Sequence, residues 1–416
     1  MYLTRRHFLT TSAAACATGW CAASGLQAAE NTLPPVRAIT RGPKFHWFAY
    51  YDKLQFDPTN RYALGMEVEF EHRSPTAEDV VKVGMIDLAD GDRWIELGQS
   101  TAWCWQQGCM LQWRPGSADE VLYNDREGDR YVCRILNVKT RACRTVPRAI
   151  YAVSPDGRWA VATDLRRLAD TRPGYGYNGI PDPNQDVLAP QDSGIWRVDL
   201  ETGRQELLIS LADVAKIPFP DRDLSRAKHW FNHLLVNPDG TRFEFLHRFQ
   251  EADAPRRVTR MFTAAPDGSD LRVIDTNGVT SHFIWRDPQH ILAWSKQAKP
   301  GFYVFEDKQG GTVELVGPGM PTGDGHCTYL PGNQWVLCDS YPDRNRNQNP
   351  YLYHLPSDRV VPLGQFHLPK EYTGEWRCDL HPRFSRDGRS VTIDSPHQGG
   401  RQIYLIDISR IVASGG

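Results

Sequence analysis

The sequence predicts an all-β protein, a seven-bladed β-propeller of four-stranded antiparallel blades that is closed by an N-terminal strand. Three observations predict it: a strand-and-turn phrase that recurs seven times, a second strand pair after each copy, and an unpartnered strand before the first unit. The composition agrees, because 11% of the 416 residues are aromatic and the chain has 34 Gly and 29 Pro. Aromatic strands separated by Gly/Pro turns are typical of all-β proteins.

The recurring phrase is an apolar strand that enters a turn rich in Pro, Asp, Asn and Gly. Proline fixes φ for the turn, and Asp, Asn and Gly tolerate the positive φ that closes a hairpin. The seven copies lie at residues 54–60, 111–116, 152–157, 235–240, 284–288, 328–333 and 383–388. With its second hairpin, each unit spans about 40–50 residues, which is the repeat length of a propeller blade.

The first and last units predict how the ring closes. The seventh unit holds strands at 383–385, 390–394 and 402–408, which is one strand short of a blade. Residues 36–40 form a strand pattern before the first unit and have no partner of their own. We expect them to pair as the outer strand of the seventh blade, which removes an open sheet edge and makes residues 30–416 a single propeller domain.

Residues 1–29 are predicted to be an export signal. The segment TRRHFLT at 4–10 places Arg5 and Arg6 before an aromatic residue and a leucine, as in the twin-arginine pattern. The apolar stretch at 8–23 is too short and too polar to span a bilayer, and small residues near Ala28 offer a cleavage site. We therefore expect a periplasmic or extracellular protein that uses the twin-arginine route.

Charge and motif content exclude several classes of protein. The 48 basic and 50 acidic residues give a net charge of −2 with no long run of either sign, so neither nucleic acid nor a membrane surface is an expected partner. The sequence has no GxSxG, P-loop or HExxH motif and no carboxylate pair at a defined spacing. This disfavours the hydrolases that use those motifs and a standard two-acid glycosidase.

Seven cysteines follow residue 29, so at least one thiol must be unpaired in any disulfide pattern. There is no CxxC pair, which disfavours a structural zinc ribbon. Cys327 and Cys338 flank a tight turn and could face each other across a hairpin. A buried free thiol is the more common state for such residues.

Four histidines recur at matching positions of units four to seven. Three begin the strand that enters the turn, and one precedes the corresponding strand one residue out of phase: His233, His326, His381 and His282. The first strand of a propeller blade is innermost, so these side chains should converge on one rim of the channel. Neutral imidazoles are common ligands of transition metals, which makes a divalent metal possible here. The alternatives are hydrogen-bonded spacers, or drift from an ancestral blade that carried histidine.

Loops at the same rim supply candidate substrate-binding groups. The insertion at 164–193 joins the second and third strands of the third blade and is long enough to be a lid or a binding wall. Other candidates come from the start of the second blade and the remaining rim loops: Trp105, Gln106, Gln107, Asp125, Arg248, Arg344, His397 and Arg401. Arginine forks match carboxylates and aromatic faces stack on sugar rings, so the expected ligand is an acidic, uronate-containing oligosaccharide.

The motifs Asp324-Gly325-His326 and DLHPRFSRDG at 379–388 resemble those of the oligogalacturonate lyases, within the TolB-type propellers. The resemblance implies a seven-bladed propeller that binds a divalent, manganese-like metal through histidines and a glutamine and cleaves oligouronides by β-elimination. His282 or His326, together with His381, falls where such ligands lie. Asp379 stands where the family has a second histidine of its last motif.

The function that we expect is therefore that of an exported lyase. A base removes the proton α to the uronate carboxyl, and the 4-linked sugar then leaves. The candidate catalytic residues are His229 or His233 as base, Tyr175 or Tyr177 as acid, and Arg126 or Arg248 as the group that neutralises the carboxylate. An arginine is a rival base, because the resemblance to the oligogalacturonate lyases implies one. A non-catalytic TolB-type binding propeller is the main alternative, and a glycosidase that uses histidine is a weaker one.

Overall fold

Seven four-stranded antiparallel sheets form the ring in the computed structural model, which describes residues 33–413. The predicted fold class is confirmed. The predicted export signal at 1–29 lies outside the described residues and stays a prediction. No helix within residues 33–413 is long and apolar enough to cross a membrane.

Each blade consists of four strands that are consecutive in the chain, apart from the closing strand. The closing strand is β1 (Val36–Ala38). The first blade contains β2 (Phe45–Trp47), β3 (Tyr62–Val68), β4 (Val81–Asp87) and β5 (Arg93–Ser100). The second contains β6 (Gln112–Trp113), β7 (Glu120–Glu127), β8 (Arg130–Asn137) and β9 (Cys143–Val146). The third contains β10 (Ala152–Val153), β11 (Trp159–Thr163), β12 (Gly194–Asp199) and β13 (Gln205–Ser210).

The fourth to seventh blades follow the same order. They are β14 (Ala227–Val236), β15 (Phe243–Glu251), β16 (Val258–Ala264) and β17 (Arg272–Gly278); β18 (Phe283–Asp287), β19 (His290–Lys296), β20 (Pro300–Glu306) and β21 (Val313–Leu315); β22 (Thr328–Tyr329), β23 (Trp335–Cys338), β25 (Tyr351–His354) and β26 (Arg359–Pro362); and β28 (Arg383–Phe384), β29 (Ser390–Ser395) and β30 (Gln402–Asp407). A separate two-stranded ribbon pairs β24 (Asn347–Gln348) with β27 (Phe366–His367).

The described helices are short. They are α1 (Leu165–Thr171), α2 (Leu211–Ala215), α3 (Ser409–Ala413) and a 3-10 helix at Gly374–Trp376. Helix α1 opens the insertion between β11 and β12, where the Asp164 side chain caps it by accepting a hydrogen bond from the Arg166 N–H at 3.1 Å.

The ring closes as the sequence predicts. Strand β1 pairs antiparallel with β30, with Val36 opposite Ile406, and the Ile39 N–H donates to the Ile403 carbonyl at 2.9 Å. The last blade thus contains strands from both ends of the described chain, and its outer edge is paired.

The blades pack through large aromatic side chains. Trp47, Trp103 and Trp105 cluster between the first two blades with ring centroids 5.1–5.5 Å apart, all at most 2% exposed. Gly84 is required nearby, because a Cβ there would lie 2.3 Å from the Trp94 ring. The seven described cysteines are free thiols, with six buried and Cys143 exposed.

The innermost strand of the first blade is interrupted, and its residues 48–53 fill the channel. We call this segment the plug. Its second residue, Ala49, has a φ of 81°, which turns the chain out of the sheet. The plug touches inner residues of blades three to seven: the Tyr50 and Tyr51 rings contact four histidines, the Tyr51 hydroxyl donates to the Phe283 carbonyl at 2.8 Å, and Lys53 lies over Tyr151. Only a segment on the channel axis can reach so many blades.

Substituting proline into the closing strand should show how much stability the closure contributes. In an antiparallel ladder, the N–H groups of alternate residues point toward the partner strand. Because Ile39 donates to Ile403, the Arg37 N–H also points toward β30, whereas the Val36 N–H points away from it. Arg37→Pro should therefore lower the free energy of unfolding by about 1–3 kcal/mol, as measured by thermal melting. Val36→Pro and Arg37→Ala are the matched controls. If Arg37→Pro melts like them, the closing strand contributes little.

Candidate metal site and anion recess

Four histidines from blades four to seven surround Tyr50 and Tyr51 of the plug: His233, His282, His326 and His381. His326 is central, because its ring centroid lies 4.2 Å from those of His282 and of His381. All four are at most 4% exposed. The expected convergence of inner-strand histidines is present, but the four do not share one environment.

His326, Asp379 and His381 form the group that could hold a metal ion. Each offers one ligand atom, and these atoms lie within 4.8 Å of one another. The Nε2 atoms of both histidines and Oδ1 of Asp379 are buried and have no hydrogen-bond partner within residues 33–413. Buried polar atoms without partners are costly, and two imidazoles with one carboxylate are a donor set that suits a divalent transition metal. The residues therefore fit such an ion.

Neighbouring carboxylates orient His326 and the adjacent His282. Asp339 accepts hydrogen bonds from His326, from the backbone N–H at 2.7 Å and from Nδ1 at 3.0 Å, so Nδ1 carries the proton and the Nε2 lone pair is free. Burial opposes protonation of His326, but Asp339 raises its pKa overall. His282 Nδ1 lies 2.9 Å from Asp324 Oδ1. Burial and then the charge of His326 hold the pKa of His381 well below its ordinary value.

The segment that carries Asp379 and His381 is held from behind. Gln106 donates to the carbonyls of Glu375 and Arg377 at 2.9 and 3.0 Å, and Arg401 donates to the Trp376 carbonyl at 2.8 Å. Sequence reasoning assigned Gln106 and Arg401 to substrate. The structure instead places both behind this segment, as supports for the metal site.

A recess lined by cations adjoins the metal group. Arg377 Nε donates to Asp379 Oδ2 at 2.8 Å, and its Nη2 donates to the Tyr175 hydroxyl at 2.6 Å. Arg172 lies 3.5 Å from the centre of the same tyrosine ring. Arg257, directly before β16, is exposed, yet desolvation by the surrounding protein and then Arg172 lower the pKa of its guanidinium to about 10. Arg257 has no ion pair in the described part of the chain, so this recess has positive charge to offer to an anion.

Tyr341 shows that this region is concave. Its side chain is 36% exposed, yet burial of its surroundings raises the pKa of its hydroxyl well above the ordinary value. Its ring also lies 5.7 Å from that of His326. A group that water can reach but that protein largely surrounds lies in a recess.

Arg248 borders a cavity of about 330 Å³ beside the recess, together with Arg256, Arg257 and Asp324. Arg248 is 4% exposed, and its Nε and Nη1 are buried without a hydrogen-bond partner in the described structure. Buried guanidinium donors without partners are costly, and a carboxylate would satisfy two of them at once. Arg248 is thus the predicted substrate-binding residue with the strongest support from its surroundings.

His233 lies apart from the metal group. It is the bulged residue inside β14 rather than the first residue of its strand, with φ 55°, and its ring stacks on Phe283 with centroids 4.0 Å apart. Its Nε2 lies 3.4 Å from Asp52 Oδ2. Burial lowers the pKa of His233 to about 4 against the opposing effect of Asp52. The bulge therefore directs His233 to the plug and not to the predicted ion.

His229 lies in another network, between the strands of the fourth blade. Its Nδ1 is 2.9 Å from His247 Nε2, and the two rings are stacked. His247 Nδ1 accepts from Arg260 Nε at 2.9 Å, and His229 Nε2 donates to the Leu224 carbonyl at 3.1 Å. All four ring nitrogens of His229 and His247 therefore have a hydrogen-bond partner when both rings are neutral. Burial lowers the pKa of both histidines. The geometry gives His229 no path to a substrate at the recess.

Both tyrosines proposed as acid are buried, and it is the Tyr175 hydroxyl that contacts Arg377 of the recess. Tyr177 is fully buried, and its hydroxyl accepts from Asn124 at 3.0 Å. Arg126 donates to the Ala77 carbonyl at 2.6 Å, and Asp125 forms an ion pair with Arg134 at 2.9 Å. The Arg126 contact joins the second blade to the first, and the Asp125 ion pair lies within the second blade.

The other predicted binding residues are also spread over the fold. Trp105 donates to the Arg73 carbonyl at 2.7 Å, and Gln107 donates to the Tyr151 hydroxyl at 2.5 Å; both are buried. His397 packs on Tyr404 with ring centroids 4.3 Å apart. Arg344 is exposed on the loop after β23.

Sequence reasoning missed most of the groups that complete the site: Tyr50, Tyr51, Asp339, Arg257 and Arg377. The sequence does carry one signal for the metal group itself. Asp379 and His381 are two residues apart, and in an extended segment that spacing directs both side chains to the same side. Asp339 and Arg377 carry no motif of their own, although Asp339 lies opposite His326 by extension of the β22–β23 register and Arg377 precedes Asp379 by two residues.

Comparisons with known proteins support the fold and not the activity. No family model matches the chain, and no curated protein matches it in sequence. Among solved structures, an oligogalacturonate lyase from Vibrio parahaemolyticus is similar with a TM-score of 0.64 and 15% identity, over 90% of this chain and 94% of that one. An oligogalacturonate lyase in complex with manganese gives 0.66 and 15%, over 90% and 93%. The propeller domain of the Trilobed protease from Pyrococcus furiosus gives 0.50 and 10%, over 87% and 96%.

The resemblance that the sequence motifs indicate is therefore confirmed at the level of the fold. The two lyases have nearly the same length as the described ring, since each match covers more than nine-tenths of the known chain. At this identity, the likeness says how the blades are arranged and leaves the chemistry to the residues of this chain.

Charge pairing in the plug gives a pH-dependent prediction. Burial opposes ionisation of Asp52, but Lys53 at 3.0 Å and the contact with His233 lower its pKa to about 2. A lowered carboxyl pKa stabilises the fold above the unfolded value near 4, and this contribution is lost as the pH falls toward 2. Between pH 4 and 2, the free energy of unfolding of the wild type should therefore fall by about 2 kcal/mol through protonation of Asp52. Asp52→Asn should abolish that part of the fall, as measured by denaturant titration across pH.

The same variant should be less stable at pH 7, by about 3–5 kcal/mol, because Lys53 is left buried without its partner. The double variant Asp52→Asn/Lys53→Met removes both charges and should regain part of that loss. If the single and double variants are equally stable at pH 7, the ion pair does not hold the plug.

Proposed function

We propose that the protein is a metal-dependent lyase that cleaves acidic, uronate-containing oligosaccharides by β-elimination. The observation that carries the proposal is the position of an unpartnered donor set, His326, Asp379 and His381, beside a recess with unpaired arginines. The fold likeness to oligogalacturonate lyases, one of them in complex with manganese, is consistent with it.

The recess would bind the carboxylate of the sugar whose bond is cleaved. Arg257 borders the cavity and has no carboxylate partner within the described chain, so its positive charge is available to the substrate. Neutralising the uronate carboxylate stabilises the enolate-like charge that develops when the α-proton leaves. A divalent ion held by His326, Asp379 and His381 would supply further positive charge to the same carboxylate when bound.

The proton transfers require two groups that face the recess. His229 and His233, the bases expected from the sequence, are both engaged in other networks. The resemblance to the lyases implies an arginine as base, and Arg248 is the buried arginine that borders the cavity with free donor positions. We therefore assign the α-proton to Arg248 in its neutral form, which its burial favours. Neutral arginine has the nitrogen lone pair that a base requires, and it becomes a guanidinium when it takes the proton.

Tyr175 is the candidate acid. Arg377 donates to its oxygen, which leaves the hydroxyl hydrogen free to be donated. In the full step the α C–H bond breaks, a double bond forms between C4 and C5, the C4–O bond breaks, and Tyr175 protonates the oxygen that leaves. No oxidant or water is consumed.

Metal content provides the first test. Elemental analysis of protein purified without chelator, followed by calorimetric titration with Mn²⁺, should show about one ion per chain. His326→Ala, Asp379→Asn and His381→Ala should each weaken binding by about 10-fold or more, since each removes one ligand of three. His397→Ala, which removes a rim histidine outside the donor set, should leave binding unchanged. Mn²⁺ binding that none of the three variants weakens would refute the assigned ligands.

The second test concerns catalysis. The protein is assayed against a panel of oligogalacturonates and other acidic oligosaccharides, by the ultraviolet absorbance of the unsaturated product. Arg248→Lys should lower kcat by about 100-fold or more, whereas Arg256→Lys at the exposed edge of the same cavity should have little effect. New reducing ends without ultraviolet absorbance would indicate a glycosidase instead. Binding without any cleavage would favour the non-catalytic binding propeller.

A further inference from the structure

A second cavity opens on the opposite rim of the channel, where the turns between the first and second strands of the blades lie. Its volume is about 730 Å³, and turn residues from several blades border it: Pro58, Pro115, Pro155, Pro238 and Arg386. Asp52 and Lys53 of the plug also line it, so the plug separates this cavity from the histidine site. A volume of this size is typical of small-molecule sites.

The wall of this cavity is mostly apolar. Leu54, Val153, Val236, Ile284 and Trp285 contribute from the inner strands of four blades. A site of this kind binds the apolar body of a ligand, and its few polar groups select the head group.

The charged groups of the wall favour an anion. Three of the four charged lining side chains are cationic: Lys53, Arg114 and Arg386, against Asp52. Lys53 is paired with Asp52 at 3.0 Å, and Arg114 is paired with Glu120 at 2.6 Å. The positive charges of Lys53 and Arg114 are therefore already paired with carboxylates of the protein.

Arg386 is the lining cation without a carboxylate partner. Its Nε donates to the Phe56 carbonyl at 2.9 Å, and it forms no ion pair with any described residue. Burial lowers the pKa of Arg386, with only a weaker opposing effect from Asp57. A ligand carboxylate at this position would satisfy the remaining guanidinium N–H groups.

We propose that the far-rim cavity is a binding site for a small amphipathic carboxylate. Its carboxylate pairs with Arg386, and its hydrocarbon body lies along Val153, Val236 and Trp285. Lys53, whose ammonium has a third N–H beyond the two hydrogen bonds to Asp52, closes the inner end. The site is independent of the proposed lyase chemistry, since the plug lies between the two.

Isothermal titration calorimetry of the whole protein with octanoate, and with 1-octanol as its uncharged counterpart, tests the site. We expect one octanoate per chain, bound about 10-fold or more tighter than 1-octanol, because a charge-assisted hydrogen bond contributes more than one decade of affinity. Arg386→Gln should reduce octanoate binding to the level of 1-octanol. Arg389→Gln, exposed on the same turn and outside the cavity lining, is the matched control.

A steric variant shows whether the ligand lies inside the cavity. Val153→Trp, on the inner strand of the third blade, should abolish binding of both probes, and Ala118→Trp at the exposed mouth serves if that variant does not fold. Absence of octanoate binding, equal affinity for octanoate and 1-octanol, or unchanged binding in the steric variant that folds would each overturn the proposal.

Discussion

The ion pair between Arg383 and Asp394 is the interaction on which the rest of the structure depends. Both residues are at most 2% exposed, and they lie 2.8 Å apart in the seventh blade. Asp394 also accepts the backbone N–H groups of Phe48 and Ala49, where the first blade gives way to the plug. Arg383 donates in addition to Gln55 at 3.0 Å, on the far side of the plug. One buried pair thus joins the last blade to the first and holds both ends of the segment that fills the channel.

Different hydrogen-bond and ion-pair partners make four similar histidines chemically different. They come from inner strands of successive blades, but each one meets a different partner: Asp52 for His233, Asp324 for His282 and Asp339 for His326. His381 has no carboxylate on its ring, and burial keeps it neutral. Asp339 leaves the Nε2 of His326 free, and within residues 33–413 it is His326 and His381 whose ligand atoms lie within 4.8 Å of each other and of Asp379.

The sequence predicted what local turn chemistry and repeat register determine. Seven Pro/Asp/Gly turns define the blades, and equal register places the histidines near one level. It could not predict the plug, because residues 48–53 continue an apolar strand pattern, and the bulge at His233 has no marker of its own. Nor could it show that Gln106 and His229 are consumed by internal hydrogen bonds. The Gln106 contacts join residues 269 and 271 positions apart and exist only in the closed ring, whereas His229 and His247, 18 positions apart, meet across two strands of one blade.

Asp379 changes the electrostatics of the proposed metal site. A carboxylate in place of a third imidazole adds a negative charge to the ligands, and this weakens the pull of a bound ion on a substrate carboxylate. Arg377 offsets part of that charge through its hydrogen bond to Oδ2, and it is hydrogen-bonded to Tyr175 through its other end. Under the proposed function, the unpaired Arg257 can then supply directly the positive charge that a site of neutral ligands would leave to the metal. In this chain, recognition of the anion therefore depends on arginines at least as much as on an ion.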